Sequence, residues 1–107
     1  MEKRTGAECH DITLAQASGW TKNYRDTISV TETIAHYFGK QAIQAILNQE
    51  DCVGLRLYYA LDNDSNKQII VVGVDEDNND LYNGLLAERS LKCPQDCPTA
   101  NPLNSDV

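Results

Sequence analysis

The sequence predicts an α+β fold: one or two N-terminal helices packed on a small antiparallel sheet centred on a β-hairpin over residues 53–75, with an irregular Cys/Pro tail. Three observations predict it. Residues 52–77, CVGLRLYYALDNDSNKQIIVVGVDED, read as two strands around a polar turn. Upstream, apolar residues recur at helical spacing behind Ser and Thr caps. From Cys93 onward the chain is polar and interrupted by prolines. A length of 107 residues suits one domain with a modest core. The expected limits are a flexible arm at 1–10, the domain at 11–92, and a tail at 93–107 packed on it.

In chain order, Thr13 caps the first helix, and Gln16 three positions on completes a capping box. Leu14, Ala17, Thr21 and Tyr24 then share a stripe, with Trp20 beside it. Core packing against the hairpin is the expected role of Trp20 and Tyr24; an aromatic binding face is the alternative. Ser29 followed by Glu32 is a second capping box, and Ile34, Phe38, Ala42, Ala45 and Ile46 follow at helical spacing. Gly39 interrupts this run. If Gly39 is a boundary, the firm helix is Lys40 to Asn48 and Ala35 to Phe38 is extended.

The hairpin follows. On its first arm Val53, Leu55, Leu57, Tyr59 and Leu61 share one face, and Gly54, Arg56, Tyr58 and Ala60 the other. The second arm is apolar on both faces, with Ile70, Val72 and Val74 in one row and Ile69, Val71 and Gly73 in the other. Pairing Asp62 with Lys67 leaves a four-residue loop. That register sets Tyr59 against Ile70, Leu57 against Val72 and Leu55 against Val74. Beyond a second acidic turn at 75–80, Leu81 to Ser90 forms a third, edge strand or two short pieces around Asn83-Gly84.

The net charge of −7 argues against nucleic acid as a partner, because phosphate rewards clustered Lys and Arg and here they are scattered. Glu2, Lys3, Arg4 and Thr5 follow Met1 with no apolar h-region, and no window reaches the length of a membrane span. The expectation is therefore a cytoplasmic protein that does not engage a membrane, whose four cysteines are free thiols or metal ligands.

Candidate chemistry is sparse. Cys93 and Cys97 are spaced C-x3-C and could supply two ligands of a zinc site, with Cys9, His10 or His36 as further donors. A local disulfide is a third reading, and two free thiols in a Pro-stiffened tail is the reading placed first. Asp62 and Asp64, and again Asp75 and Asp77, match the first half of a calcium-binding EF-hand loop. The match then fails: position six is Lys67 or Asp80 where Gly is needed, and position twelve is Gly73 or Leu86 where Glu is needed. Asp and Asn are also frequent in turns for local hydrogen-bonding reasons. His36, beside Tyr37 and Lys40, has no local partner to make it a catalytic base, and no hydrolase, metalloprotease or phosphate-binding motif is present.

W-T-K-N-Y-R at 20–25, A-H-Y-F-G-K at 35–40, G-L-R-L-Y-Y at 54–59, V-G-V-D-x-x-x-x-D at 72–80 and C-P-x-x-C at 93–97 together resemble a set of small bacterial hypothetical proteins. The resemblance runs from about Ile12 to Asn104. In those proteins the middle of the last motif often reads Pro-Tyr, where this chain has Gln95-Asp96. It implies a bacterial origin and a tail that belongs to the fold, and it transfers no catalytic residue. The expected function is non-enzymatic: an interaction or structural module, self-associating or joined to a protein partner. Its motive is the two-sided second arm, whose Ile69 and Val71, with Tyr58, would need cover from elsewhere. The alternative is a metal-binding or redox-responsive protein using Cys93 and Cys97.

Overall fold

The computed structural model describes residues 2–106 and is an α+β fold. In chain order the elements are α1 (Leu14–Arg25), β1 (Ala35–Tyr37), α2 (Lys40–Leu47), β2 (Gly54–Leu61), β3 (Lys67–Val74), β4 (Leu86–Ala87) and β5 (Leu91–Cys93). One antiparallel sheet has the order β2-β3-β4, and β1 pairs with β5 in a second. The chain divides into two compact units. One takes the N-terminal residues through Glu8 together with Tyr37–Ser90; the other takes Cys9–His36 and the chain from Leu91 onward.

The N-terminal arm is part of the first unit. Arg4 N–H donates to the Glu76 carbonyl at 2.7 Å, and Lys3 pairs with Glu76 and Asp77. A basic arm thus docks on an acidic turn. In the second unit α1 starts as expected, the Thr13 hydroxyl accepting from Gln16 N–H at 3.1 Å. It buries no residue, and Trp20 and Tyr24, expected in a core, are exposed.

The Ser29–Glu32 box begins no helix; it closes a turn in which Glu32 N–H donates to the Ser29 carbonyl at 3.2 Å. Thr27, Ile28, Val30, Thr31, Thr33 and Ile34 are β-branched, and that density opposes a helix. Gly39 is instead the N-cap of α2, and the residues before it are extended.

In the first unit α2 buries Ile46, and the chain turns at Asp51 (φ +70°) into β2. The hairpin pairs Leu61 with Lys67, Tyr59 with Ile69, Leu57 with Val71 and Leu55 with Gly73. This is one residue away from the expected register, and the turn explains the difference. Asp62 N–H donates to the Asn66 carbonyl, and Ser65 N–H to the Asp62 carbonyl, each at 3.0 Å. Ser65 sits at φ +67°, so the loop is a three-residue turn with a left-handed last residue, not four residues. The Asp62 carboxylate stabilises it by accepting from the N–H groups of Asp64 and Asn66, both at 2.9 Å.

Gln49, just past α2, holds the third strand's approach. Its Nε2 donates to the Ile46 carbonyl at 2.9 Å, and its Oε1 accepts from Leu85 N–H at 2.8 Å. Leu81 N–H donates to the Gly73 carbonyl, and after Leu81 the chain loops out before pairing again at Leu86 and Ala87. Of the strand expected over Leu81–Ser90, the part that forms is Leu86–Ala87, after the loop around Asn83-Gly84.

Candidate interaction surface

In this register the odd residues of β2, from Leu55 to Leu61, share a face with Ile69, Val71 and Gly73. A Cβ on Gly73 would meet Cys52 Sγ, Gln49 Nε2 and a Leu81 methyl, so the end of the α2 segment covers that part of the face. Val71 lies within the covered part and is 1 % exposed. The cover expected from a partner is thus supplied to Val71 by its own chain.

The other face is closed by a polar clasp. Asp80, bridged to Val74, accepts from Arg56 and from the Tyr58 hydroxyl, and Arg56 also donates to Asn78. Arg56 stands opposite Val72, so the clasp crosses β3 over the buried Val72 and Val74. The Tyr58 hydroxyl's hydrogen bond, with Arg56 beside it, holds the Asp80 carboxyl below its usual range. The same bond raises the Tyr58 phenol. Tyr58 is thus half of a structural clasp, on the face opposite Ile69 and Val71.

Toward the hairpin tip the cover ends. Leu57 is 56 % exposed, Tyr59 93 % and Leu61 68 %, with Ile69 half-buried opposite Tyr59. Length explains it. An eight-residue helix spans about 12 Å, whereas an eight-residue strand spans about 26 Å. The sequence places Leu57, Tyr59 and Leu61 on one apolar face without saying how far that face is covered, and this length mismatch is the signal that marks them as exposed.

β2 is also a sheet edge. Antiparallel pairs alternate between bonded and non-bonded. The Asp62–Asn66 bond at the tip makes Ala60, Tyr58 and Arg56 the inward-bonded residues. Leu55, Leu57, Tyr59 and Leu61 consequently aim N–H and C=O outward. Among the described residues no backbone hydrogen bond reaches that outer edge. Within Gly54–Leu61 the one charge is Arg56, already held by Asp80.

The other expected sites lie elsewhere. Asp75, Asp77, Asn78 and Asn79 repeat the first turn: Asp75 accepts from Asp77 and Asn79 N–H at 2.9 Å, and Asn78 has φ +69°. The D-x-D-x-N spacing that suggested calcium is thus accounted for in both copies by one turn geometry. Hydrogen bonds from Asn66 N–H and from the Gln68 amide hold Asp62 below its usual pKa.

Cys93 and Cys97 are joined in a disulfide, with Cα atoms 4.6 Å apart, rather than carrying free thiols. As a disulfide they offer no thiolate to zinc. Cys9 is free and exposed, as His10 is exposed, and Cys52 is free and half-buried. Among the described residues no three of His, Cys, Asp and Glu converge to hold a metal. Half-buried His36 has its pKa lowered by desolvation and, less, by Lys92. Beside the disulfide is a cavity of about 380 Å³ bordered by Ile28, Ile34, Cys93, Pro94, Cys97 and Arg25.

No described helix is long and apolar enough to cross a membrane. No family model matches the chain, and neither a curated protein nor a solved structure matches it significantly.

Proposed function

We propose that this chain is a non-enzymatic, cytoplasmic interaction module whose working surface is the outer edge of β2. The observation that carries the reading is a coincidence of two features on the same residues. Leu57, Tyr59 and Leu61 expose apolar side chains and also present the unpaired backbone groups of a sheet edge. Natural proteins protect long edges with charge, proline or bulges. Residues Leu55 to Leu61 carry no proline and one neutralised charge. Such an edge accepts an extended strand through main-chain hydrogen bonds, with alternate side chains on the apolar row.

The test titrates isotopically labelled protein with an eight-residue peptide of alternating valine and threonine, to about 1 mM. Amide shifts confined to Leu55, Leu57, Tyr59 and Leu61 are expected. Shifts scattered over both units, or none, overturn the reading.

The Cys93–Cys97 bond supports a second reading, a redox-responsive protein. A dithiol reductant would be oxidised to its own disulfide as the Cys93–Cys97 bond opens to two thiols. Cys97, the exposed partner, is the sulfur open to attack. In a reducing compartment such a bond is made and broken rather than permanent. Loss of amide protection at Ile34, whose N–H donates to the Cys93 carbonyl at 2.7 Å, on adding dithiothreitol is expected. Unchanged protection in reduced protein removes this reading.

A further inference from the structure

We infer that the strand received by β2 is β2 of a second copy of this chain, paired antiparallel about a two-fold axis; the inference rests on the reading of the β2 outer edge as the working surface. Strand length selects the partner. Among the described residues β1 and β5 have three residues each, β4 has two, and β3 is paired on its far side at Val71, Val72 and Val74, which leaves a stretch of only four residues, Lys67–Ile70, beyond β4. β2, with eight residues, is the one strand that is both long and open on one side. A head-to-tail contact would set β2 against β4, which offers two residues and an interruption at Tyr82–Leu85. Two copies of β2 instead form a self-complementary contact that closes on itself.

The hydrogen-bond alternation then restricts the register. Only odd-numbered residues of β2 present outward N–H and C=O groups, so odd must meet odd. The register with complete overlap sets Leu57 opposite Tyr59 of the second copy and Leu55 opposite its Leu61. Both apolar rows then fall on one face of a six-stranded sheet, where directly opposed side chains lie close enough to pack. Charge is compatible. Although the chain carries −7 in total, this register sets Asp62 opposite Gly54 of the second copy, so no carboxylate faces another across the new pair.

The experiment is sedimentation velocity on the full chain to about 200 μM, with amide exchange at low and high concentration. A concentration-dependent dimer is expected. Leu57 and Tyr59 amides should slow on association while the inward Tyr58 amide does not change. Tyr59→Lys puts a charge on the edge and should weaken dimerisation roughly tenfold or more. Leu61→Lys, also at an exposed position, serves as the second variant.

A monomer at all concentrations that still binds the valine–threonine peptide overturns the second copy and leaves the edge reading standing. A monomer that also ignores the peptide removes both. A dimer indifferent to both lysine variants, with unchanged Leu57 and Tyr59 exchange, places association on another surface and overturns the inference.

Discussion

In the unit that carries the hairpin, Ile46, Val71, Val72 and Val74 are buried. In the unit formed by Cys9–His36 and the chain from Leu91, Cys93 is the one buried residue among those described. The first unit is ordered by apolar burial on both faces of β3, under the α2 segment on one side and the Arg56–Asp80–Tyr58 clasp on the other. The second is tied by a covalent bond and by polar links. Arg25 donates to the Leu103 carbonyl and pairs with Asp106, both at 2.9 Å, and the disulfide closes a short loop beside β5. Exposed ion pairs contribute little net stability, so the disulfide is the principal constraint there. Local order can thus come from burial or from cross-linking, and the two respond to different perturbations.

The sharpest way to break this contrast is truncation. Ile46→Ala should cost about 2–5 kcal/mol in denaturant unfolding. Leu103→Ala, at a partly exposed site of the second unit, should cost less than about 1 kcal/mol. Equal losses would mean that the second unit has an apolar core of its own. The reverse perturbation is Cys93→Ser with Cys97→Ser. Chain entropy for so short a loop gives about 2 kcal/mol, and amide exchange should show the loss in the second unit, with Val71 and Val72 amides unaffected.

Smaller effects sharpen the account of the first unit. A Cβ on Gly84 would collide with Gln49 Oε1, an atom held by the Leu85 hydrogen bond. Gly84→Ala should therefore cost roughly 1–2 kcal/mol, about the worth of the hydrogen bonds displaced. Gln49→Ala removes the same bonds, so the double variant should fall short of the sum of the two. Additive losses would show that Gln49 is not the clamp.

The smallest expected effect is the pH dependence of the clasp. The Asp80 pKa is lowered, chiefly by the Tyr58 hydroxyl, so its contribution is complete above the unfolded carboxyl value and is lost as pH falls below about 4. The Tyr58 pKa is raised by the same bond, so its contribution is present below about pH 10 and is lost as pH rises through the folded value. Tyr58→Phe should flatten the alkaline limb of the first unit's stability curve. An unchanged limb would show that the hydroxyl bond contributes nothing.

His36 gives the second unit a different response. Burial lowers its pKa, so its contribution is full above about pH 6.5 and declines as the solution is acidified through the folded value. Acid-induced exchange near β1 that sets in before carboxylate protonation is the expected sign.

Much of the fold was legible because local chemistry decided it. The Thr13 cap, the boundary at Gly39 and the two strands of the hairpin follow from capping, extended propensity and alternation. The register did not follow. Counting loop residues left Asp62 opposite Lys67, while the Asp62 side chain and the left-handed Ser65 shorten the loop by one. The repeated D-x-D-x-N was visible as a motif, but the turn geometry it builds needed the backbone hydrogen bonds. Ser29–Glu32 misled because a cap signal was read without the β-branched residues around it.

The surface proposed as functional was only half legible. The alternation of β2 put Leu57, Tyr59 and Leu61 on one face, and a sequence pattern can go no further than naming a face. Exposure depends on how far a covering element reaches. α2 stops after eight residues, and the outer edge of β2 is open because, among the described residues, no other strand runs beside it. Pattern and propensity are properties of short segments, so the sequence by itself determined the two hairpin strands, the helices at 14–25 and 40–47 and the Thr13 cap. Register, the Cys93–Cys97 bond, the cover over Val71 and the bare row at the hairpin tip arise between segments distant in the chain or from the geometry of a turn, so only the tertiary structure decided them.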